Sequence, residues 1–364
     1  QAIKDYTRAI ELQPNNAEML YNLGAAQGAL NQFDAAIASY TKAIELQPNE
    51  ALFYNNRGAA HARKAEWDAA IADYSRAIEL KPGDAMAWIN RGGAWASKGV
   101  FDRSIQDYQR AIEINPAAPA AHAALAYAAL RASQLDAAAA ASSKAIELRA
   151  DDPAPWLYRG VALTRKGQIA NALQDLGQAI ALRPDYAMAY RARGNALMRE
   201  GQMDLAMRDY DKAVELEPGS PFSLLERGHA LFNAGQWAKA RADIARAVKL
   251  QAGRGAAAPY ATLFLLVLDL KEGKSLADLR AAARQVRDNL KPEGWTKRLL
   301  DFFAGDLDYA DVAAEFLALS MSLLVPGGRL GLVLPQSVLS SRDVGPIRDR
   351  VRAGLQALLP RLAE

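Results

Sequence analysis

The sequence predicts an all-α solenoid of stacked helical hairpins. Three observations carry that prediction: a period of 34 residues, helical spacing of the large apolar residues within each period, and a proline closing most of them. The prolines fall at Pro14, Pro48, Pro82, Pro116, Pro184 and Pro218, with Ala150 and Ala252 in the two remaining slots. Inside a period such as Ala51 to Asp84, spacings of three, four and seven define two amphipathic runs parted by a short polar turn, Lys64-Ala65-Glu66. One hairpin cannot bury its apolar face alone, so stacking against neighbours is obligatory.

Small and large residues keep fixed slots. Gly24, Gly58, Gly92, Gly160, Gly194 and Gly228 share one, with Ala126 the exception, and Tyr40, Tyr74, Tyr108 and Tyr210 share another. Ala36, Ala70, Ala138, Ala172, Ala206 and Ala240 fill a third slot, broken by Ser104, and Ala43, Ala77, Ala111, Ala145, Ala179, Ala213 and Ala247 a fourth. Small slots let helix backbones approach, and the aromatic residues fill the gaps between hairpins. Asn49, Asp84, Asp152, Asp185 and Ser220 stand where caps for the following helices are expected, and Pro119, Pro153 and Pro221 at first helical positions.

Period, glycine slot, alanine slots, aromatic slot and closing proline together resemble the tetratricopeptide repeat (TPR) family. The resemblance implies a right-handed superhelix with a concave binding surface. Seven full repeats run from Ala17 to Arg254, and residues 1–16 read as the second helix of a truncated repeat, as in a fragment of a longer product. Residues 255–318, with Pro259-Tyr260, Trp295 and Phe302-Phe303-Ala304-Gly305, resemble the C-terminal region of bacterial TPR lipoproteins, which implies a helical cap. Residues 319–364 form an anomalous tail in which Leu323 to Leu339 reads as a helix end, a Pro-Gly-Gly turn and a short strand. That stretch resembles part of the N6-adenine DNA methyltransferases, without their catalytic tetrad or S-adenosylmethionine loop. An unpaired strand there would favour self-association.

Composition narrows the function. The chain of 364 residues holds 44 Lys and Arg against 41 acidic residues, and the excess lies in the tail, so the repeats are neutral and unsuited to tracking phosphate. Cysteine is absent, which excludes disulfides and thiolate metal sites and leaves the compartment open. His61 and His122 fall in slots that are aromatic elsewhere and read as packing residues, while His229 is expected to face the groove. Gly273-Lys274-Ser275 lacks the upstream glycine of a phosphate loop, and Leu263 to Leu268 is too short to span a bilayer. No cofactor, metal or catalytic residue is expected.

Two candidate binding patches remain. Asn22, Asn56 and Asn90 occupy one slot in three successive first helices, with Asn55, Tyr21 and Glu18 beside them. They resemble the asparagine ladder of the O-linked N-acetylglucosamine transferases, which implies amides reading the backbone of an extended peptide. The competing reading is a neutral exposed residue copied when the repeats duplicated. Arg191 and Asn195, with Arg199 beyond, resemble half of the carboxylate clamp of chaperone-binding TPR domains; the competing reading is a solvated charged face. The expected function is therefore a protein-interaction scaffold for a peptide or partner segment. The alternative is an accessory or remnant of an adenine-specific methyltransferase that uses the array as a targeting arm. The alanine-rich repeat from Pro119 to Asp152 is expected to be a soft joint.

Overall fold

The computed structural model describes residues 2–251 and, beyond them, the helical residues Leu265, Leu268, Asp269, Asp278, Ala281 and Arg284. The described residues hold 15 α-helices and no strand. A first helix, α1 (Ala2–Leu12), precedes seven hairpins: α2 (Ala17–Ala29) with α3 (Phe33–Leu46), α4 (Ala51–Arg63) with α5 (Trp67–Leu80), and α6 (Ala85–Ser97) with α7 (Phe101–Ile114). Then come α8 (Pro119–Arg131) with α9 (Leu135–Leu148), α10 (Pro153–Arg165) with α11 (Ile169–Leu182), α12 (Ala187–Glu200) with α13 (Met203–Leu216), and α14 (Pro221–Asn233) with α15 (Trp237–Gln251). Two compact units divide the chain. One comprises Gln1–Leu163 with Gln174–Arg183, the other Thr164–Leu173 with Pro184–Glu364.

Glycine and tyrosine lock four of the seven hairpins together, at Gly24, Gly58, Gly92 and Gly194. A Cβ added at Gly58 would lie 2.9 Å from the Tyr74 ring, at Gly92 2.8 Å from Tyr108, and at Gly194 2.7 Å from Tyr210. Only a residue without a side chain lets the buried ring lie flat on the partner helix. Between hairpins a second aromatic slot reaches back to the preceding unit. Trp88 Nε1 donates to the Pro82 carbonyl and Trp156 Nε1 to that of Ala150, each at 2.9 Å, and Tyr54 Oη donates to Pro48 at 3.1 Å. His122 sits in this slot, buried, with Nε2 2.9 Å from the Pro116 carbonyl, which fits its expected packing role.

The turn within each hairpin needs one left-handed residue. Gly99, Gly167, Gly201 and Gly235 supply it at φ of 72° to 82°, and Asn31, Ala65 and Ser133 adopt it at φ near 60° despite their side chains. Caps follow the sequence in part. Asp84, Asp152 and Ser220 accept from the first turns of α6, α10 and α14, as does Asn16 at α2. Asn49 and Asp185 miss by one residue: the cap positions are Glu50 and Tyr186, and neither side chain bonds the helix.

In the second unit Leu268 is fully buried against Leu231, Ile244 and Ala247, with Leu265 packed alongside, and Arg241 pairs with Asp269 at 2.5 Å. Leu265 and Leu268 lie against the apolar face of the last hairpin. The remainder of the expected cap at 255–318, and the whole tail at 319–364 with its expected strand, lie outside the described residues.

Candidate peptide-binding face

The strongest polar feature of the repeats is one that charge patterning alone did not reveal. Arg57, Arg91, Arg159, Arg193 and Arg227 occupy one slot of the first helix, and each grips an aspartate sixteen residues on in the second helix. The forks are bidentate: Arg91 Nε and Nη2 lie 2.9 and 2.8 Å from the Asp107 oxygens, and Arg57 makes the same pair with Asp73 at 2.8 and 2.7 Å. The third nitrogen reaches the hairpin before, to Thr41 Oγ1 from Arg57 and to Ser75 Oγ from Arg91. Arg91 also lies 4.8 Å over the Trp88 ring, and Arg57 5.6 Å over Tyr54. Hydrogen bonding to the aspartate, opposed by burial, holds Arg57, Arg159, Arg193 and Arg227 above the usual guanidinium range. These arginines are staples, spent on neighbouring helices and closed to ligands. Their signal was in the sequence as a 34-residue recurrence of both partners.

Asn56 and Asn90 stand one residue before Arg57 and Arg91 and so about 100° round the helix from them, with Asn22 in the same slot of α2 and Asn55 one position earlier on α4. Asn22, Asn55, Asn56 and Asn90 are all half-buried. Asn56 Nδ2 donates to the Leu52 carbonyl at 2.9 Å and lies 3.4 Å from Tyr21 Oη. Asn90 Nδ2 donates to Asn55 Oδ1 at 3.0 Å, joining α6 to α4. Tyr21 is itself fixed by stacking on Phe53 with centroids 5.2 Å apart. A side-chain amide has two N–H donors and a carbonyl acceptor, so one bond to the protein orients it and leaves the rest of its capacity for a ligand.

Two apolar features that sequence reasoning missed flank the amides. Leu52 and Met86, one turn before Asn56 and Asn90, are 51% and 55% exposed. One hairpin further on, a hollow of about 300 Å³ opens between α6, α8 and α10, with Gly93 and Ala124 at its base and Tyr127 and Tyr158 in its wall. Their rings meet at 5.7 Å. The hollow exists because the alanine-rich repeat places small residues where its neighbours carry large ones.

In the second unit the two residues expected as half a clamp both bond a carboxylate of the protein itself. Arg191 Nε and Nη2 hold the Glu226 carboxylate at 2.7 and 3.2 Å, Asn195 Nδ2 adds a bond of 3.2 Å, and Tyr210 Oη donates to Asn195 Oδ1 at 2.7 Å. Burial, then the charge of Glu226, raises the Tyr210 hydroxyl above its ordinary range. Glu226 stands in the slot of the asparagine row, 35 residues from Arg191, so spacing within one helix could not reveal the pair. Arg199 Nη1 is likewise spent on the Thr164 carbonyl at 3.1 Å. His229, expected to face the groove, is half-buried with its Nε2 enclosed, and burial lowers its pKa against the opposing pull of Glu226 three residues away.

Among the described residues no cluster of three or more His, Cys, Asp and Glu side chains could hold a metal, and no helix is long and apolar enough to cross a membrane.

Comparison with known proteins follows the same repeats. Tetratricopeptide repeat models match residues 17–50, 57–119, 96–155 and 187–220, and a TPR repeat model matches 1–31 and 160–201. No curated protein matches the chain. Among solved structures, a tetratricopeptide repeat protein from Parabacteroides merdae ATCC 43184 is similar at TM-score 0.59 and 16% identity, over 69% of this chain and 98% of that one. The APC/C hetero-tetramer Cut9-Hcn1 is similar at TM-score 0.55 and 15% identity, over 69% of this chain and 50% of that one. Yeast Tom70 is similar at TM-score 0.52 and 17% identity, over 78% of this chain and 61% of that one. At these identities the likeness is one of fold. With repeat models matched over more than half of its length, the chain belongs to the tetratricopeptide-repeat family.

Proposed function

We propose that the chain is a non-catalytic interaction scaffold whose first-helix face, from α2 to α6, holds an extended peptide or partner segment. The amide row carries this reading. Asn56 and Asn90 are each oriented by a bond within the protein, and Asn90 is tied to the neighbouring hairpin through Asn55. Acceptors fixed in this way cost little entropy when a main chain docks, and a peptide backbone offers the donors they need. Asn22 extends the row by one repeat.

Arg191 and Asn195 take a second place in this reading. Their carboxylate partner is already supplied by Glu226, so an incoming carboxylate has to displace it.

The test compares the full chain with the Asn56→Ala, Asn90→Ala double variant as bait, with captured proteins identified by mass spectrometry and affinity then measured for the main partner. Binding is expected to weaken about tenfold or more, as for loss of two interface hydrogen bonds. Thermal unfolding should move by only about 2–6 °C, since Asn56 and Asn90 are half-buried and lose few hydrogen bonds within the array. Unchanged affinity in the double variant overturns the amide reading.

A further inference from the structure

The hollow between α6, α8 and α10 is lined by phenol hydroxyls as well as by alanines. Tyr108 is only 4% exposed, yet it lines the hollow beside Gly93, and a Cβ built at Gly93 would lie 3.7 Å from its hydroxyl oxygen. Tyr210, its counterpart in the sixth hairpin, spends that hydroxyl on Asn195 Oδ1 at 2.7 Å, and Asn195 stands in the slot that Gly93 holds in the third. With glycine there, Tyr108 has no amide to meet. Burial raises its pKa, the Ser104 hydroxyl pulls the other way as a donor would, and Asp107 and Tyr127 add to the rise. Its proton is therefore left for an acceptor from outside. Tyr127 offers a second donor, because its oxygen accepts from Arg131 Nη1 at 2.9 Å and its own proton is unspent. A hydroxyl that accepts from a cation is polarised into a stronger donor. Apart from Ser97, whose hydroxyl donates to the Gly93 carbonyl at 3.0 Å, the remaining lining is Ala96, Ala123, Ala124 and Ala154 with the Tyr127 and Tyr158 rings. At about 300 Å³ the hollow is at the lower end of small-ligand sites, and a cavity of about 150 Å³ already admits benzene.

We propose that this hollow binds a small aromatic carboxylate, its ring on the alanines against Tyr127 and Tyr158 and its carboxylate accepting from the Tyr108 and Tyr127 hydroxyls. The site is separate from the amide row and goes beyond the peptide reading. Two phenols with unspent protons call for an acceptor, and Arg131 favours one that carries negative charge. Grouped aromatic rings also suit a quaternary ammonium, but the Arg131 guanidinium already lies 5.8 Å from the Tyr127 ring centre and repels a second cation. The small residues leave room for a flat ring beside the tilted tyrosine pair. A free acid fits better than a stretch of peptide, because the slot that holds asparagine in the first three hairpins is Ala124 and Tyr158 here. A main chain entering the hollow would lose water without finding amides for its polar groups.

The probe is 2-naphthoate, titrated into the full chain and followed by saturation-transfer NMR. Saturable binding with a Kd of about 1 mM or tighter is expected for a ligand of this size. The same ring carrying an aminomethyl cation should bind at least about tenfold more weakly, from loss of two charge-assisted hydrogen bonds. Gly93→Asn rebuilds the sixth-hairpin arrangement, filling the hollow and giving Tyr108 an amide, and should abolish binding. That variant folds, since a Cβ there makes only ordinary contact and asparagine is a better helix former than glycine. Tyr108→Phe should weaken 2-naphthoate about three- to tenfold with an unchanged melting curve, as for one hydrogen bond. No saturable binding up to about 10 mM, equal binding of the cation, or unchanged affinity in Gly93→Asn or Tyr108→Phe overturns the proposal. A Gly-Ser decapeptide ending in a free phenylalanine is the last arm. If it binds more than about tenfold tighter than N-acetylphenylalanine, the hollow takes a chain terminus and the free-acid assignment falls.

Discussion

The third and fourth hairpins lie side by side in the same unit and solve the same packing problem with different residues. In the third, Gly92 admits the Tyr108 ring, Arg91 staples Asp107 and Ser75, and Trp88 bonds back to Pro82. In the fourth, the glycine slot holds Ala126 and the tyrosine slot Ser142, while Leu125 and Ala141 replace the arginine and aspartate. Ala126, Ser142 and Ala141 are all buried, and Leu125 packs against the same core, so the hairpin closes on small and apolar residues. The two residues of each pair have changed together. What the comparison teaches is that the Arg and Asp staple is a coupled pair, exchanged for an apolar pair when both members go.

The staple offers the largest effect. Removing one partner leaves a charge facing a site from which water is largely excluded, as the Asp107 side chain is only 6% exposed and Arg91 20%. Asp107→Ala should therefore cost about 2–3 kcal/mol, below the full range for a buried pair because Arg91 keeps Ser75 and some solvent. The double change Arg91→Leu with Asp107→Ala copies the fourth hairpin and should come within about 1 kcal/mol of the parent, since a well-packed apolar pair replaces a buried ion pair at little cost. Hydrogen exchange resolves the effect hairpin by hairpin. In the parent chain α8 and α9 should exchange before α6 and α7, and Asp107→Ala should erase that difference; equal protection of the two hairpins in the parent would remove the soft joint.

The glycine and tyrosine pair sharpens the comparison at intermediate size. Ser142→Tyr alone drives a ring against the Ala126 methyl, in the geometry where a Cβ at Gly92 would sit 2.8 Å from Tyr108, and should destabilise by about 1–3 kcal/mol. Adding Ala126→Gly opens the slot and lets the ring bury, so the double variant should be more stable than Ser142→Tyr by about 2 kcal/mol or more. Denaturant unfolding of the two singles and the double closes the cycle. Additive effects would mean that the two slots do not touch in this hairpin.

Much of this was legible in the residues. The period, the glycine, alanine and tyrosine slots and the prolines at Pro119, Pro153 and Pro221 each report a steric demand that few residues can meet, so they recur visibly. The Arg and Asp staples recur just as faithfully, yet a charge on a helix reads as solvated until the partner helix is in place. The same blindness hid Glu226. Arg191 and Asn195 read from their own helix as half a clamp or a solvated charged face, because the carboxylate they hold comes from the next hairpin. The exposure of Leu52 and Met86 was hidden for the opposite reason, since an apolar residue on an amphipathic helix is assumed to be covered. Asn49 and Asp185 show the remaining kind of error, a cap displaced by one residue, where local hydrogen bonding decides and periodicity has no resolving power.

The smallest effect lies in the turns, and it separates the same two hairpins once more. Gly99 turns the third hairpin at φ 78°, where glycine pays no steric penalty, and Ser133 turns the fourth at φ 60° with a Cβ against its own backbone. The Ser133 N–H still bonds the Leu130 carbonyl at 3.2 Å, as Gly99 bonds Ala96 at 2.9 Å, so the geometry is shared and only the strain differs. Ser133→Gly should then stabilise the fourth hairpin by about 0.5–1 kcal/mol, the relief of the left-handed strain less the entropy of freeing the unfolded chain. Gly99→Ala should destabilise the third by a similar amount. Both are read from denaturant midpoints at constant slope. If Ser133→Gly instead destabilises, unfolded-state entropy outweighs strain in this turn, and the softness of the fourth hairpin has to be sought wholly in its core.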